Sequence, residues 1–366
     1  MASSGLGSVW ALGWLFLTVM VGGESIGTGS SSGKNCGFPA IFNFGDSNSD
    51  AGTGSAAFVE LLPPYGMSFR NLSKRASDGR LIIDFIAENL GLPYLDGALD
   101  SIGTSFNHGA NFATGGAKVS PVVIHGSTIP LHLDIQVSEF LQFKSRTVAQ
   151  QKRLGNNSNN LPVAEVFPNA LYTIDIGQND VVANVDSSFI PTIIEQFSCS
   201  PQRLLKSGAK FLWIHNTGPQ GCSPNDCIKK SECLVDQNGC VISQNEQSTE
   251  FNKQLKQMIY KLRAQYPDAA ITYVDVYTAK HTLIVNAKDY SVHDPFTVCC
   301  GNGFMCAQRD FNQTLLGTAC TDPSRYVNWD GMHYTEAANR FVAQLVVNGS
   351  LSDPPLLVAE ACRRTA

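Results

Sequence analysis

The 366-residue sequence is short of charge. Asp, Glu, Lys and Arg together make up 16 % of it, against roughly 25 % in an average soluble protein. Basic residues are the scarcer kind, 26 Lys and Arg against 31 Asp and Glu, for a formal net charge of −5. Without a basic surplus there is no surface for tracking phosphates, which excludes nucleic acid as a partner. Long apolar runs are missing too. The longest, Val9–Val21, has thirteen residues, fewer than the ~20 a membrane-crossing helix needs, so integral membrane association is not expected. No GxxxxGK[ST], HExxH or EF-hand pattern occurs, which leaves nucleotide and metalloprotease chemistry without residues to carry it. Neither a fixed-period repeat nor an internal linker divides the chain. What is abundant is hydrophobic material, 43 % of residues, enough for a large core and too much for disorder.

The Val9–Val21 run is followed by Gly22, Gly23 and Ser25 before composition turns polar, the pattern of a signal peptide over residues 1–25, although no Lys or Arg precedes the run. Residues 26–35 are Gly/Ser-rich and read as a flexible linker. N-x-S/T sequons at Asn71, Asn156, Asn312 and Asn348 fit a secretory route, on which they become glycosylation sites. Delivery to the extracellular space or apoplast is expected, with the vacuole as the alternative.

Eleven cysteines then belong to an oxidising compartment and should mostly pair. Two clusters stand out, Cys222/Cys227/Cys233/Cys240 and Cys299/Cys300/Cys306/Cys320. Zinc is the rival explanation, but neither window holds a C-x-x-C or a histidine. Four cysteines allow three connectivities; nested Cys222–Cys240 and Cys227–Cys233 bonds are favoured, and Cys199 is the expected odd thiol.

From Cys36 onward, short β-prone runs alternate with helical segments. Strands are expected at Ala40–Phe44, Asn107–Ala113, Ala170–Ile176, Lys210–His215 and Ile271–Val276, several of them apolar on both faces as central parallel strands must be. Helices are expected at Leu81–Leu90, Ile135–Gln150, Ile190–Lys206, Val241–Tyr266 and Thr335–Val347. Alternation of this kind points to an α/β fold, a three-layer α/β/α sandwich on a mostly parallel five-stranded sheet. Long loops at about 45–80, 95–130 and 280–330 would cover the carboxyl ends of the strands, where ligands bind in such folds.

Two serines compete for a catalytic role. Gly29–Gly33 matches G-x-S-x-G around Ser31, but it lies in the linker, with no strand before it and no helix after it to expose a nucleophile. Ser47 is better placed, because the apolar run Ala40–Phe44 ends in Gly45-Asp46-Ser47 and delivers a serine to the sheet's carboxyl edge. A Ser/Asx-rich helix cap is the competing interpretation of that segment alone. Near the other end, Asp330 and His333 stand three residues apart, about one turn, so the carboxylate can fix the imidazole tautomer and leave the second nitrogen free to take a serine proton. Asp46, Asp175 and Asp180 read as structural partners of turn amides, and His215 as a satisfied structural histidine at the end of a core strand.

These segments occur in a recognisable order. Gly45-Asp46-Ser47, Asn111–Ala117, Gly177–Asp180 and Asp330–His333 resemble the four blocks of the GDSL, or SGNH, hydrolases, with supporting segments Pro63–Gly66, Asp78–Ile86, Trp213–Cys222 and Cys299–Gly301. The chain is similar to the plant GDSL esterase/lipases, in particular the early-nodulin-like subgroup, some of which carry an α-fucosidase label. The resemblance covers roughly residues 36 to 355 and implies one flavodoxin-like SGNH hydrolase domain over 36–355, with 356–366 as a C-terminal tail. It implies Ser47 as nucleophile, His333 as general base, Asp330 as its orienting partner, and an oxyanion hole from the backbone N–H groups of Ser47 and Gly116 and the side-chain amide of Asn179. Asn48 departs from the motif's Leu without adding a proton or a charge, and Gly115 leaves a one-residue ambiguity beside Gly116.

The implied activity is hydrolysis of a carboxylic ester through an acyl-enzyme, with no metal or organic cofactor. Substrates would be small-molecule, lipid or acetylated-glycan esters, and the protein a monomer. An acyltransferase using the same residues is the first alternative. An α-fucosidase-like glycosidase is a remote one, since retaining glycosidases generally use two carboxylates, and a non-enzymatic binding protein would require a lost block where all four are present.

Overall fold

The computed structural model describes residues 35–70, 73–100, 102–119, 129–154, 160–182, 187–224, 233–290, 292–301 and 303–364. The expected signal peptide, all of the expected linker but Asn35, the sequons at Asn71 and Asn156, and Cys227 lie outside the described residues.

Five strands run parallel where the sequence places them: β1 (Ile41–Gly45), β2 (Gly109–Asn111), β3 (Leu171–Asp175), β4 (Phe211–His215) and β5 (Ala270–Val274). A sixth, β6 (Ser352–Asp353), pairs antiparallel with β5 at the edge, so the sheet has six strands rather than five. Their order is β2-β1-β3-β4-β5-β6. The chain leaves β1 toward one side to make β2 and returns on the other to make β3. Strand order therefore reverses at β1, and a crevice opens beyond the carboxyl ends of β1 and β3.

Eight helices are described: α1 (Thr53–Ala57), α2 (Ile82–Asn89), α3 (Leu133–Leu154), α4 (Gln178–Val182), α5 (Ile190–Lys206), α6 (Ile242–Gln265), α7 (Val276–Val285) and α8 (Glu336–Val347). Successive strand residues face opposite sides, and the two cores follow from that. Phe42, Phe44 and Tyr172 join Phe140 of α3, Phe197 of α5 and Phe251 of α6 on one face. Ile41, Leu171 and Trp213 join α2, α7 and α8 on the other. The result is the expected α/β/α sandwich.

One expected strand ends early. Ile271–Val276 was to continue through Val276, but Asp275 caps α7 by accepting the Thr278 N–H at 3.0 Å and the Thr278 hydroxyl at 2.7 Å. A cap decides the boundary over the β-branched residues that follow it. The same helix occupies part of what the sequence presents as a long loop.

The segment after residue 355 is not a separate tail. Cys36 is bonded to Cys362, Val358 and Ala361 are fully buried, and the compact unit runs from Asn35 to Ala366. Cys222–Cys240 forms as expected, Cys299–Cys320 and Cys300–Cys306 brace the second cluster, and Cys199 is an exposed free thiol. Cys233 is also disulfide-bonded.

Candidate active site

The turn after β1 is built to be tight. A Cβ on Gly45 would stand 2.2 Å from the Asp175 carbonyl oxygen and 2.5 Å from Ser49 Oγ, so only glycine fits between β1 and β3. Gln136 clasps the same residue, accepting the Gly45 N–H at 2.9 Å and donating to its carbonyl at 2.8 Å. Beyond it, Asn43 and Asn111 both donate to the Ser49 carbonyl, at 3.2 and 2.6 Å, and Thr173 donates to Asn43 Oδ1 at 2.7 Å. Buried amides are costly unless paired, and these are paired in a way that fixes where Ser47 emerges.

The Asp330–His333 loop is held from two directions. Ser77 donates to the Tyr334 carbonyl at 2.9 Å, and Asp78 accepts the Glu336 N–H at 2.7 Å at the start of α8. From the disulfide-braced segment, Cys299 and Cys300 donate backbone N–H groups to the carbonyls of Asn328 and Trp329 at 3.0 and 2.6 Å. Within the loop, the Trp329 N–H donates to the His333 carbonyl at 2.7 Å.

Ser47 and His333 are brought together across 286 residues, with His333 Nε2 2.7 Å from Ser47 Oγ. On the other side of the ring, Nδ1 is 2.7 Å from Asp330 Oδ2. Asp330 Oδ1 accepts the backbone N–H groups of Met332 and His333 at 3.0 and 2.9 Å. Tyr65 donates its hydroxyl to Oδ2 at 3.0 Å. The Asp330 and His333 side chains are 6 % and 14 % exposed, dry enough for their charges to act strongly on each other. Burial pushes the Asp330 carboxyl up, but the His333 charge and the hydrogen bonds from His333 and Met332 outweigh it and hold it down at about 2. Burial would depress the imidazole, and Asp330 outweighs that too, so His333 binds its proton more tightly than an ordinary histidine.

The remaining expected residues border the same cleft of about 520 Å³: Ser47, Gly116, Asn179, Asp330 and His333 all line it. The Gly115 N–H is taken by Asp50 Oδ2 at 2.8 Å. The N–H groups of Gly116 and Ser47 have no acceptor among the described residues. Asn179 gives one side-chain N–H to the Ala117 carbonyl at 2.9 Å, leaving its second for another acceptor. Asp180 accepts the Val119 N–H at 3.0 Å and so holds the far end of the Gly115–Val119 segment. Three N–H donors around one serine suit an oxygen that gains negative charge.

His215 is buried at the end of β4, its Nδ1 3.5 Å from Asp175 Oδ2, and among the described residues neither ring nitrogen has a hydrogen-bond partner, so the satisfied histidine expected there is not found. Two residues were not legible as site members. Tyr65 touches Asp330 across 265 residues, and Lys280, on α7, lines the cleft beneath the Ser47 turn. The Pro63–Gly66 segment that carries Tyr65 was the one available signal. Among the described residues no cluster of three or more His, Cys, Asp or Glu is placed to hold a metal ion.

A serine hydroxyl hydrogen-bonded to an imidazole that is itself held by a carboxylate, at the open edge of a parallel sheet, is an arrangement able to activate a serine for attack on a carbonyl. The chain is a member of the GDSL-like Lipase/Acylhydrolase family, whose match runs over residues 41–346, which makes it a carboxylic-ester hydrolase. Its similarity to plant proteins extends over nearly the whole chain. A GDSL esterase/lipase of Arabidopsis thaliana is 46 % identical over 92 % of this chain and 94 % of its own length. The GDSL esterase/lipase ENOD8 of Medicago truncatula is 39 % identical over 90 % and 91 %. An Arabidopsis thaliana protein named alpha-L-fucosidase 3 is 40 % identical over 92 % and 95 %.

Proposed function

We propose that the protein is a secreted serine esterase that works through an acyl-enzyme. Ser47 Oγ attacks the ester carbonyl while His333 Nε2 takes its proton. Asp330 holds the Nδ1 tautomer and stabilises the imidazolium. The tetrahedral oxyanion is received by the N–H groups of Ser47 and Gly116 and the free side-chain N–H of Asn179. The imidazolium then protonates the leaving alcohol, and a water activated by the same nitrogen releases the acid. These steps draw only on side chains and backbone of this chain. The observation that carries them is the series of two 2.7 Å contacts, Ser47 Oγ to His333 to Asp330.

Secretion is supported by the Val9–Val21 run, by the disulfides and by the exposed sequon residues Asn312 and Asn348. Residues 1–25 would be the signal peptide and 26–35 a linker, and the enzyme would act as a monomer on small-molecule, lipid or acetylated-glycan esters. A fluorophosphonate probe should label the secreted protein, and Ser47→Ala should abolish both labelling and ester turnover; labelling that persists would place the nucleophile elsewhere. Supplying ester and acceptor alcohol together separates hydrolase from acyltransferase, since exclusive transfer without free acid would favour the latter. The fucosidase-named relative makes the glycosidase alternative testable in the same preparation. Cleavage of a nitrophenyl fucoside that survives Ser47→Ala would support it.

A further inference from the structure

Apart from His333, the charged residues among those described that line the cleft around Ser47 are Asp50, Lys74, Lys280 and Asp330. Each is already engaged. Asp50 accepts the backbone N–H groups of Gly52, Gly54 and Gly115 at 2.8, 3.0 and 2.8 Å. Lys74 pairs with Asp100, and Asp330 is taken by His333, Met332 and Tyr65. Lys280 is buried, its ammonium 3.5 Å from Asn48 Oδ1 and 4.9 Å from the centre of the Tyr334 ring, and its stem fills the space that a Cβ on Gly218 would need, 2.8 Å from Lys280 Cδ. A charged substrate group entering here would lose hydration without gaining a new partner. Around the oxyanion donors the lining is of another kind. Asp50 Oδ2 ties the start of α1 to the Gly115–Gly116 turn, and α1 then ends by placing Phe58 and Val59 on the cleft, 45 % and 75 % exposed. Ile129 lies against Gly116, where a Cβ would stand 3.0 Å from Ile129 Cγ1. Val182, exposed, follows Asn179 by one turn of α4. Apolar surface left in water on several elements at once is stabilised by a ligand that covers it.

We infer that the cleft is built for an uncharged ester with an aliphatic acyl chain of about eight carbons or more, and that Phe58, Val59, Ile129 and Val182 set this preference by covering the chain. This rests on the assignment of Ser47, His333 and the oxyanion donors above. During acylation the carbonyl oxygen must face Gly116 and Asn179, and the leaving oxygen must face His333 Nε2 to receive its proton. The acyl chain therefore leaves the reacting carbon on the side away from His333, toward the α1 end of the cleft and its apolar side chains. Hydrolysis yields the free fatty acid and the alcohol, with one water consumed. The cleft of about 520 Å³ lies within the ~300–1,000 Å³ that bury a drug-sized ligand, and an acetyl group would leave most of its apolar lining in water. Acetylated glycans are thereby the poorer candidates among the esters considered above, and lipid-like esters the better ones.

The test is kcat/KM of the full secreted protein on nitrophenyl acetate, butyrate, hexanoate and octanoate, and on the nitrophenyl monoester of adipate, which has the chain length of hexanoate but ends in a carboxylate. Complete burial of one methylene is worth about fourfold and half-burial about twofold. The six methylenes between acetate and octanoate should then raise kcat/KM by about sixtyfold; a rise below tenfold overturns the inference. The adipate monoester should fall at least about threefold below hexanoate, and a smaller difference or a reversal would show a lysine of the cleft reading charge and overturn it. Phe58→Ser and Val59→Ser alter side chains already 45 % and 75 % exposed, so the fold does not depend on them. Each should lower the octanoate-to-acetate ratio by at least about threefold, whereas Phe311→Ser, at a fully exposed position outside the cleft, should leave it alone. A ratio that neither cleft variant moves, or that Phe311→Ser moves as far, overturns the inference. Ser47→Ala run alongside keeps two failures apart. Octanoate turnover or fluorophosphonate labelling that survives it overturns the nucleophile assignment and this inference together, while a silent Ser47→Ala beside a flat chain-length series overturns this inference alone.

Discussion

Asp330→Asn is the substitution whose outcome the geometry constrains most. Asp330 Oδ1 is fixed as an acceptor by two backbone N–H groups, from Met332 at 3.0 Å and His333 at 2.9 Å. An asparagine must keep its carbonyl oxygen there, which forces the NH₂ group into the place of Oδ2, against His333 Nδ1 and the Tyr65 hydroxyl. A donor facing Nδ1 requires that nitrogen to be the acceptor, so the ring proton moves to Nε2 and points at Ser47 Oγ. The imidazole can then no longer take the serine proton, and the charge that stabilises the imidazolium is gone as well. The expected loss in kcat/KM is about 10⁴-fold, equivalent to roughly 5.5 kcal/mol of barrier. The loop should survive, because both backbone hydrogen bonds are retained and the hydroxyl of Tyr65 can rotate to accept. The assay is steady-state hydrolysis of a nitrophenyl ester beside a thermal melt and the fluorophosphonate labelling rate. A loss smaller than about tenfold in a protein that melts like wild type would refute the assignment of His333 as a base oriented by Asp330.

Other outcomes follow from the same framework. Activity should disappear as pH falls through the raised pKa of His333, which lies above the ordinary imidazole value because Asp330 outweighs burial; recovery on return to neutrality distinguishes titration from unfolding. Asp330 itself stays ionised down to about 2, below its unfolded value near 3.8, so its contribution to stability is present above about pH 4 and lost only as pH falls toward 2, and circular dichroism at about pH 5 should report a folded, inactive enzyme. Gly45→Ala must move the Asp175 carbonyl or Ser49 and should cost on the order of 1–3 kcal/mol, visible as a lowered Tm; an unchanged Tm contradicts the close approach of β1 to β3. Replacing Cys36 and Cys362 with serine opens a loop of 326 residues, for which chain entropy alone suggests about 6 kcal/mol as an upper figure, and a Tm within a degree of wild type would show that the ends are held by packing instead.

What the sequence made legible has a common cause. Ser47 could be found because the turn that presents it needs glycine and polar residues in a short stretch, and Asp330 with His333 because one loop carries both. Most strands were legible by apolar residues on both faces, β2 (Gly109–Asn111) least of all. What escaped is whatever depends on distant partners. Tyr65 meets Asp330 across 265 residues, and Cys36 finds Cys362 with no spacing to announce it. The helix at Val276–Val285 was hidden by its β-branched residues and by a single capping aspartate. Lys280 looked like one more basic residue, although its burial depends on Gly218, sixty-two positions earlier. The packing beyond 355 was not legible because the run Leu356–Ala359 is too short to announce an element, and the burial of Val358 and Ala361 is decided by the α2 and α8 side of the sandwich.

The distance along the chain between Ser47 and His333 also has a meaning in time. The strands that frame the site are synthesised in sequence, but the imidazole arrives 286 residues after the serine. At translation rates of ~5–20 residues per second, Ser47 waits roughly 15–60 s for its base, and the Cys36–Cys362 bond can close only after that. On the proposed assignment, a fragment that ends before residue 333 lacks the base and should not turn over an ester. On the proposed mechanism the base thus joins the site late in synthesis, with α8, β6 and the Cys36–Cys362 bond still to follow.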